Sequence, residues 1–229
     1  MNSPHIEYHG DVVVFDLDDT LMRERDFCRS GFRAIERDLC RRFGPGYLGV
    51  ALRMNSRLIR RENYFALLEE ILQNDVKEYL ELYRTHRPER LDFAPGGREL
   101  LDALKEKGVV MALVTDGRSL TQRRKIEALG LDEYIPGYNI YISEERGADK
   151  TNPASFRDIV RRYPEARRFI YIGDNLRKDF IIPTLLGWET VLISRNSDNV
   201  HERIEISDKI QVEAFKMLNF SQILTELKL

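Results

Sequence analysis

From residue 97 onward, short runs of β-branched and aromatic residues alternate with helical segments, and a chain patterned this way predicts a parallel α/β sheet. Leu100, Leu101 and Leu104 recur at helical spacing before Gly108; "VVMALV" at 109–114 reads as a strand, and Leu120 to Leu129 as a helix stopped by Gly130. "NIYI" at 139–142, "FIYI" at 169–172 and "TVLI" at 190–193 are further strands, with helices around Phe156 to Tyr163 and Phe180 to Leu186 between them. Beyond them, "QVEAF" at 211–215 reads as an edge strand and "SQILTEL" as a closing helix. Upstream, "VVVF" at 12–15 suits a strand buried on both faces.

Between that first strand and the alternating region the pattern is helical. Phe27, Phe32, Ile35 and Leu39 mark one helix, with Asp26 as its expected N-cap and "FGPGY" at 43–47 as its end. Leu48, Leu52 and Ile59 mark a second, Tyr64, Phe65, Leu68 and Ile71 a third, and Val76, Tyr79, Leu80 and Tyr83 a fourth after a break at Asn74-Asp75. Short connections predict a small bundle, and "HRPER" and "FAPGG" read as the return linker. The expected organisation is a sheet domain of residues 1–20 and 92–229, with a helical domain inserted at 21–91.

A chain of 229 residues, 42% hydrophobic and 32% charged, can bury a full core. Its net charge of -2 argues against a general affinity for nucleic acid or a membrane surface, and no apolar stretch has the length of a bilayer crossing. The leading "MNSPHIEYHGD" has neither a basic lead nor an apolar secretory segment, which points to the cytoplasm. Cys28 and Cys40 fall in one expected helix about 18 Å apart, beyond disulfide reach, as suits a reducing compartment. Nothing in the sequence sets the oligomeric state.

In open α/β sheets ligands bind beyond the carboxyl ends of the strands. Polar residues collect there: Asp16, Asp18, Asp19 and Thr20 after the first strand, Thr115, Asp116 and Gly117 after "VVMALV", Lys150 after the third, and Asp174 and Asp179 after "FIYI". Side-chain alternation turns Asp16 and Asp18 the same way and Leu17 the other. Two anions about 4 Å apart repel by roughly 4 kcal/mol at an effective dielectric of about 20, so these acids need a cation. The available ligands are hard oxygens without histidine or cysteine, which favours Mg²⁺ over Zn²⁺.

Taken in order, "DLDDT", "TDG", "KTNPASF" and "GDNLRKD" resemble the four motifs of the haloacid dehalogenase (HAD) superfamily, in the branch dominated by phosphatases. Each alone is an ordinary capped turn or surface lysine; the four in sequence on successive α/β units are what points to function. The resemblance implies a Rossmann-like core and, by position, a helical-bundle cap at 21–91. It further implies a Mg²⁺-dependent phosphatase acting on a small phosphorylated metabolite through an aspartyl-phosphate. By the same resemblance Asp16 is the nucleophile and Asp18 the general acid and base. The metal is held by the carboxylates of Asp16 and Asp174 and the backbone carbonyl of Asp18. Lys150 neutralises the phosphate, the Thr115 hydroxyl and the amides of Asp116 and Gly117 hold phosphoryl oxygens, Asp179 supports the metal or Lys150, and Thr20 positions Asp18. A phosphomutase, a dehalogenase and a non-enzymatic binding module are the alternatives, and Asp18 argues against the dehalogenase, which does not need an acid there.

Two departures stand out. Asp116 occupies a position more often held by asparagine, so its side chain is expected to turn away and cap the helix beginning near Ser119. Thr151, Asn152 and Pro153 replace the usual Pro-Asp-Pro after the lysine. One feature lies outside the motifs: residues 21–61 hold eleven arginines, no lysines and four acids, and Arg29, Arg33, Arg37 and Arg41, then Arg53, Arg57 and Arg61, recur every four residues. These ridges form either a solvated face or a surface that draws an anionic substrate toward the cleft.

Overall fold

The computed structural model describes residues 9–73, 76–193 and 215–228. Six strands, β1 (Asp11–Phe15), β2 (Val110–Thr115), β3 (Ile140–Ile142), β4 (Arg168–Gly173), β5 (Glu189–Ile193) and β6 (Phe215–Leu218), form one sheet in the order β3-β2-β1-β4-β5-β6. Every neighbouring pair is parallel. The strand order reverses between β1 and β4, and in an open α/β sheet that reversal opens a crevice at the carboxyl edge.

Helices cover both faces, which is why the strands read as continuous apolar runs. Val13 and Phe15 pack on one face with Leu113, Ile170 and Ile172, under α5 (Gly97–Glu106), α6 (Ser119–Leu129) and the closing α10 (Phe220–Glu226). Val12 and Val14 point the other way, against Val114 and Tyr171 and under α8 (Ala154–Arg162) and α9 (Ile181–Leu185). The short α7 (Ser143–Arg146) continues β3. Asn219 caps α10 in a reciprocal pair with Gln222, which fixes the start of the closing helix. The edge strand β6 begins, among the described residues, at Phe215, the last residue of the expected "QVEAF", of which residues 211–214, like 194–210, fall outside the described residues.

Between β1 and α5 the chain forms α1 (Glu24–Phe43), α2 (Val50–Ile59), α3 (Ala66–Leu72) and α4 (Lys77–Thr85). The expected break at Asn74-Asp75 lies outside the described residues. These helices share a core of their own, centred on Phe32, Ile35, Leu39, Met54 and Leu68. The ends of the segment meet: Met22 bridges to Phe93, and the Ala94 N–H donates to the Leu21 carbonyl at 2.8 Å.

Two local expectations are corrected. Asp26 does not cap α1; the helix starts at Glu24, whose N–H donates to Asp19 Oδ1 at 3.0 Å, with Asp19 in a left-handed conformation at φ 53° that aspartate tolerates. On α2 the buried stripe is Val50, Met54 and Leu58, while Leu48, Leu52 and Ile59 are exposed. Val50, Met54 and Leu58 recur every four residues on that short helix, whereas Leu48 precedes it and Leu52 and Ile59 stand seven apart, and the set turned toward α1 is buried. Both cysteines lie on α1 as free thiols. No helix among the described residues is long and apolar enough to cross a membrane.

Candidate active site

Asp16 follows β1 and Asp174 follows β4, the two strands flanking the reversal, and the Asp16 N–H extends their pairing by donating to the Ile172 carbonyl at 2.9 Å. Thr115 ends β2, and Lys150 sits on the loop between α7 and α8. A cleft of about 260 Å³ is lined by Asp16, Asp18, Thr115, Asp116, Lys150, Asp174 and Asp179, together with Glu24, Asn175 and Lys178. Leu17, between the two first acids, is buried in the core on the opposite side.

Lys150 is buried at 5% exposure; its ammonium bonds Asp16 Oδ1 and, at 2.8 Å, Asp179 Oδ1, and lies 5.9 Å above the Tyr171 ring. Burial works to discharge it, but the two carboxylates outweigh burial and hold its pKa well above the ordinary lysine range. Burial pushes the Asp16 carboxyl up to about 7, with Lys150 opposing and Asp179 and Asp18 adding to the rise. The Thr20 hydroxyl donates to Asp16 Oδ2 at 3.2 Å, so it orients Asp16 and not, as expected, Asp18. Asp179 is fully buried; its Oδ2 accepts the N–H groups of Asp174 (3.0 Å) and Asn175 (2.8 Å), and its Oδ1 also accepts the Tyr171 hydroxyl at 3.2 Å. This arrangement explains the glycine of "GDN": a Cβ on Gly173 would collide with the Asp179 carboxylate. Asp16, Asp174 and Asp179 each offer an oxygen within 4.8 Å of the others.

Asp18 is held by α6. Its carboxylate accepts from Lys125 Nζ at 2.7 and 2.8 Å and from Gln122 Nε2 at 2.9 Å. Lys125 is buried against the Phe27 ring, 4.6 Å from its centroid. Burial disfavours its charge, yet Asp18 and Glu24 outweigh that and raise its pKa. Glu24, at the start of α1, is pushed up to about 8 by burial, with Asp18 adding to the shift. Gln122, Lys125 and Glu24 lie outside the motifs that the sequence singles out. A signal for two of them is present: Gln122 and Lys125 share the stripe of Ile126 and Leu129, and polar residues on a helix's core face need a reason to be there.

Around the second motif the expectations divide. Asp116 does not cap α6, since the Ser119 N–H is taken by Glu144 Oε2 at 2.8 Å. Its carboxylate instead accepts the Lys150 N–H at 3.0 Å and Lys178 Nζ at 2.9 Å. The Gly117 amide does not reach the cleft either; it donates to Ser143 Oγ at 2.9 Å, with the glycine at φ 146°. None of the seven ridge arginines lines the cleft. Arg29 bonds Asp26 and Asn55, Arg37 pairs with Glu89, Arg41 with Asp38, and Arg57 with Glu70. Arg29 and Arg33 border a separate groove between α1 and α2.

A family model described as haloacid dehalogenase-like hydrolase matches residues 11–181, which takes in β1, all four inserted helices and the chain through "GDNLRKD". The chain is 29% identical over 126 residues to a ribulose-1,5-bisphosphate 5-phosphatase of Halopiger xanaduensis, a match covering 55% of this chain and about half, 51%, of that protein. It is 26% identical over 191 residues to a glyceraldehyde 3-phosphate phosphatase of Pyrococcus furiosus, covering 79% of each. Among solved structures, a haloacid dehalogenase-like family hydrolase of Xanthomonas campestris superposes with a TM-score of 0.59 at 18% identity, over 96% of this chain and 95% of that one, a likeness of fold.

Proposed function

The chain belongs to the haloacid dehalogenase-like hydrolases, and from that premise we propose that it is a Mg²⁺-dependent phosphatase of small phosphorylated sugars or similar metabolites, working through an aspartyl-phosphate. The observation that carries the reading is that Asp16, bonded to Lys150, and Asp18, two residues on, line one small cleft together with Thr115 and Asp174. A carbon-halogen cleavage has no use for the second acid. Relatives named as phosphatases of glyceraldehyde 3-phosphate and of ribulose bisphosphate support a substrate of that size.

The residues fit a divalent cation. Asp16, Asp174 and Asp179 gather three buried carboxylates, and Lys150 bonds two of them. The remaining negative charge and the all-oxygen donor set suit Mg²⁺. The carboxylates of Asp16 and Asp174 and the carbonyl of Asp18 would hold it. Asp179, with its oxygens committed to Lys150, Tyr171 and two amides, stands behind them. Bound there, the ion supplies positive charge that lets an anionic nucleophile approach an anionic phosphate.

In the first step an Asp16 oxygen attacks phosphorus, the ester P–O bond breaks with its electron pair going to the alcohol oxygen, and Asp18 gives that oxygen a proton. In the second, water attacks the aspartyl-phosphate, Asp18 takes the proton of the water, and Asp16 leaves as carboxylate with release of phosphate. Lys150, the Asp116 amide and the Thr115 hydroxyl hold the phosphoryl oxygens. Thr115 Oγ1 accepts from Gln122 at 2.7 Å, which leaves its own proton to donate. Residues 21–91 serve as the cap over this site and residues 1–20 and 92–229 as the core, with Glu24 as the cap's contribution to the cleft wall.

The test is release of phosphate from p-nitrophenyl phosphate with Mg²⁺, then from a panel of phosphorylated metabolites. Turnover that ceases in chelator and in Asp16→Asn supports the reading; no turnover of any phosphate ester by the wild type overturns it.

A further inference from the structure

We propose that Lys125 and Gln122 are positioning residues that hold the Asp18 carboxylate toward the departing alcohol. The inference rests on the phosphatase reading above and adds two residues to it.

Asp16 is fixed by Lys150 and Thr20, which leaves Asp18 to be held by something else. Its carboxylate receives three bonds, two from Lys125 Nζ and one from Gln122 Nε2, so both oxygens are fixed. Its holders are themselves immobile. Lys125 is 3% exposed and packed on Phe27, and Gln122 is 1% exposed. The Gln122 amide has two hydrogens and three acceptors in reach: Asp18 Oδ2 at 2.9 Å, Thr115 Oγ1 at 2.7 Å and the Asp116 carbonyl at 3.2 Å. One side chain thereby ties the acid to the residue that holds the phosphoryl group. A proton donor is effective only within a narrow range of distance and angle to the atom it serves, and these bonds set that range.

The rival role is charge neutralisation of buried acids. It predicts a loss of stability and an equal loss of activity on every substrate, whereas positioning predicts a loss that grows as the leaving group needs protonation more. The experiment compares wild type, Lys125→Met, Lys125→Arg and Gln122→Met, as full chains with Mg²⁺, on para-substituted phenyl phosphates of nearly one shape and graded leaving-group acidity. In Lys125→Met, kcat/KM is expected to fall about 10²-fold on p-methoxyphenyl phosphate and about threefold or less on p-nitrophenyl phosphate. Lys125→Arg should recover about tenfold of the larger loss, and Gln122→Met should show the same graded pattern at smaller size. Inhibition by inorganic phosphate should stay at the wild-type level.

Equal losses across the series in folded variants overturn the inference, as does weakened phosphate inhibition, which would make Lys125 a substrate ligand. Should Lys125→Met fail to fold, the series with Gln122→Met decides. A wild type inactive on this series and on every phosphorylated metabolite of the panel removes the phosphatase reading and this inference with it; an active wild type whose variants show no gradation removes the inference alone.

Discussion

Asp116 divides its carboxylate between the Lys150 N–H at 3.0 Å and the Lys178 ammonium at 2.9 Å. An acid in a turn that meets a phosphate dianion is tolerable only if its charge is used elsewhere, and these two bonds use it. Lys178, 42% exposed at its side chain, faces the same cleft and keeps the local charge balanced. Lys178→Met should therefore raise KM for a phosphate ester by about tenfold at low salt, and by less as salt screens the half-buried acid. Adding Asp116→Asn should return most of the loss, because the amide oxygen still accepts the Lys150 N–H. The coupling is read from the double-mutant cycle; additive effects of the two changes would show that the two side chains act on binding independently and overturn the charge-balancing role of Lys178.

Asp16→Asn should lower turnover by about 10³-fold or more without loss of fold, since an amide does not attack phosphorus. Asp18→Asn should be slowed most on esters with poor leaving groups. Thermal melts alongside the kinetics separate chemistry from folding. A folded Asp16→Asn with near wild-type activity would falsify the nucleophile assignment, and equal slowing of aryl and alkyl esters by Asp18→Asn would remove its acid role.

What the sequence makes legible follows from where the information is local. The strands are readable because each is a continuous apolar run covered on both faces, and the four motifs because each lies directly after a strand or opens a helix. What it hides depends on partners distant in the chain. Asp116 meets Lys178 across 62 positions, and Asp18 meets Lys125 across 107. No periodicity announces such pairs. Thr20 points to the wrong acid for a related reason, since only the turn geometry decides which carboxylate its hydroxyl reaches. On α2 the sequence offers two apolar sets, and the choice between them rests on contact with α1.

Metal binding should register in stability as well as in turnover. Chelator should end activity and Mg²⁺ restore it, and Asp174→Ala should raise the Mg²⁺ concentration required or abolish turnover. Because burial pushes the Asp16 carboxyl up to about 7, the cation competes with a proton there. The rise in melting temperature on adding Mg²⁺ should be larger at pH 8 than at pH 6. Full activity in excess chelator, or a Mg²⁺ shift that is flat with pH, would contradict this.

Glu24 supplies a second pH signature. Its carboxyl is raised from an ordinary 4.5 to about 8, chiefly by burial and then by Asp18. As pH rises above 4.5 the unfolded chain gives up this proton while the folded one keeps it, so the proton linkage favours unfolding until the folded group also ionises near 8. Glu24→Gln removes the proton exchange and keeps nearly the same shape. The variant should thus differ little from wild type in melting temperature at pH 4.5, gain steadily through neutrality, and level off above pH 8. Each tenfold difference in proton affinity between the folded and unfolded chain is worth about 1.4 kcal/mol. The full effect is therefore on the order of a few kcal/mol, or roughly ten degrees in a domain of this size. Equal gains at pH 5 and pH 8 would mean that the benefit of glutamine has nothing to do with a proton. No gain at either pH would mean that Glu24 is ionised in the folded protein and already balanced by Lys125.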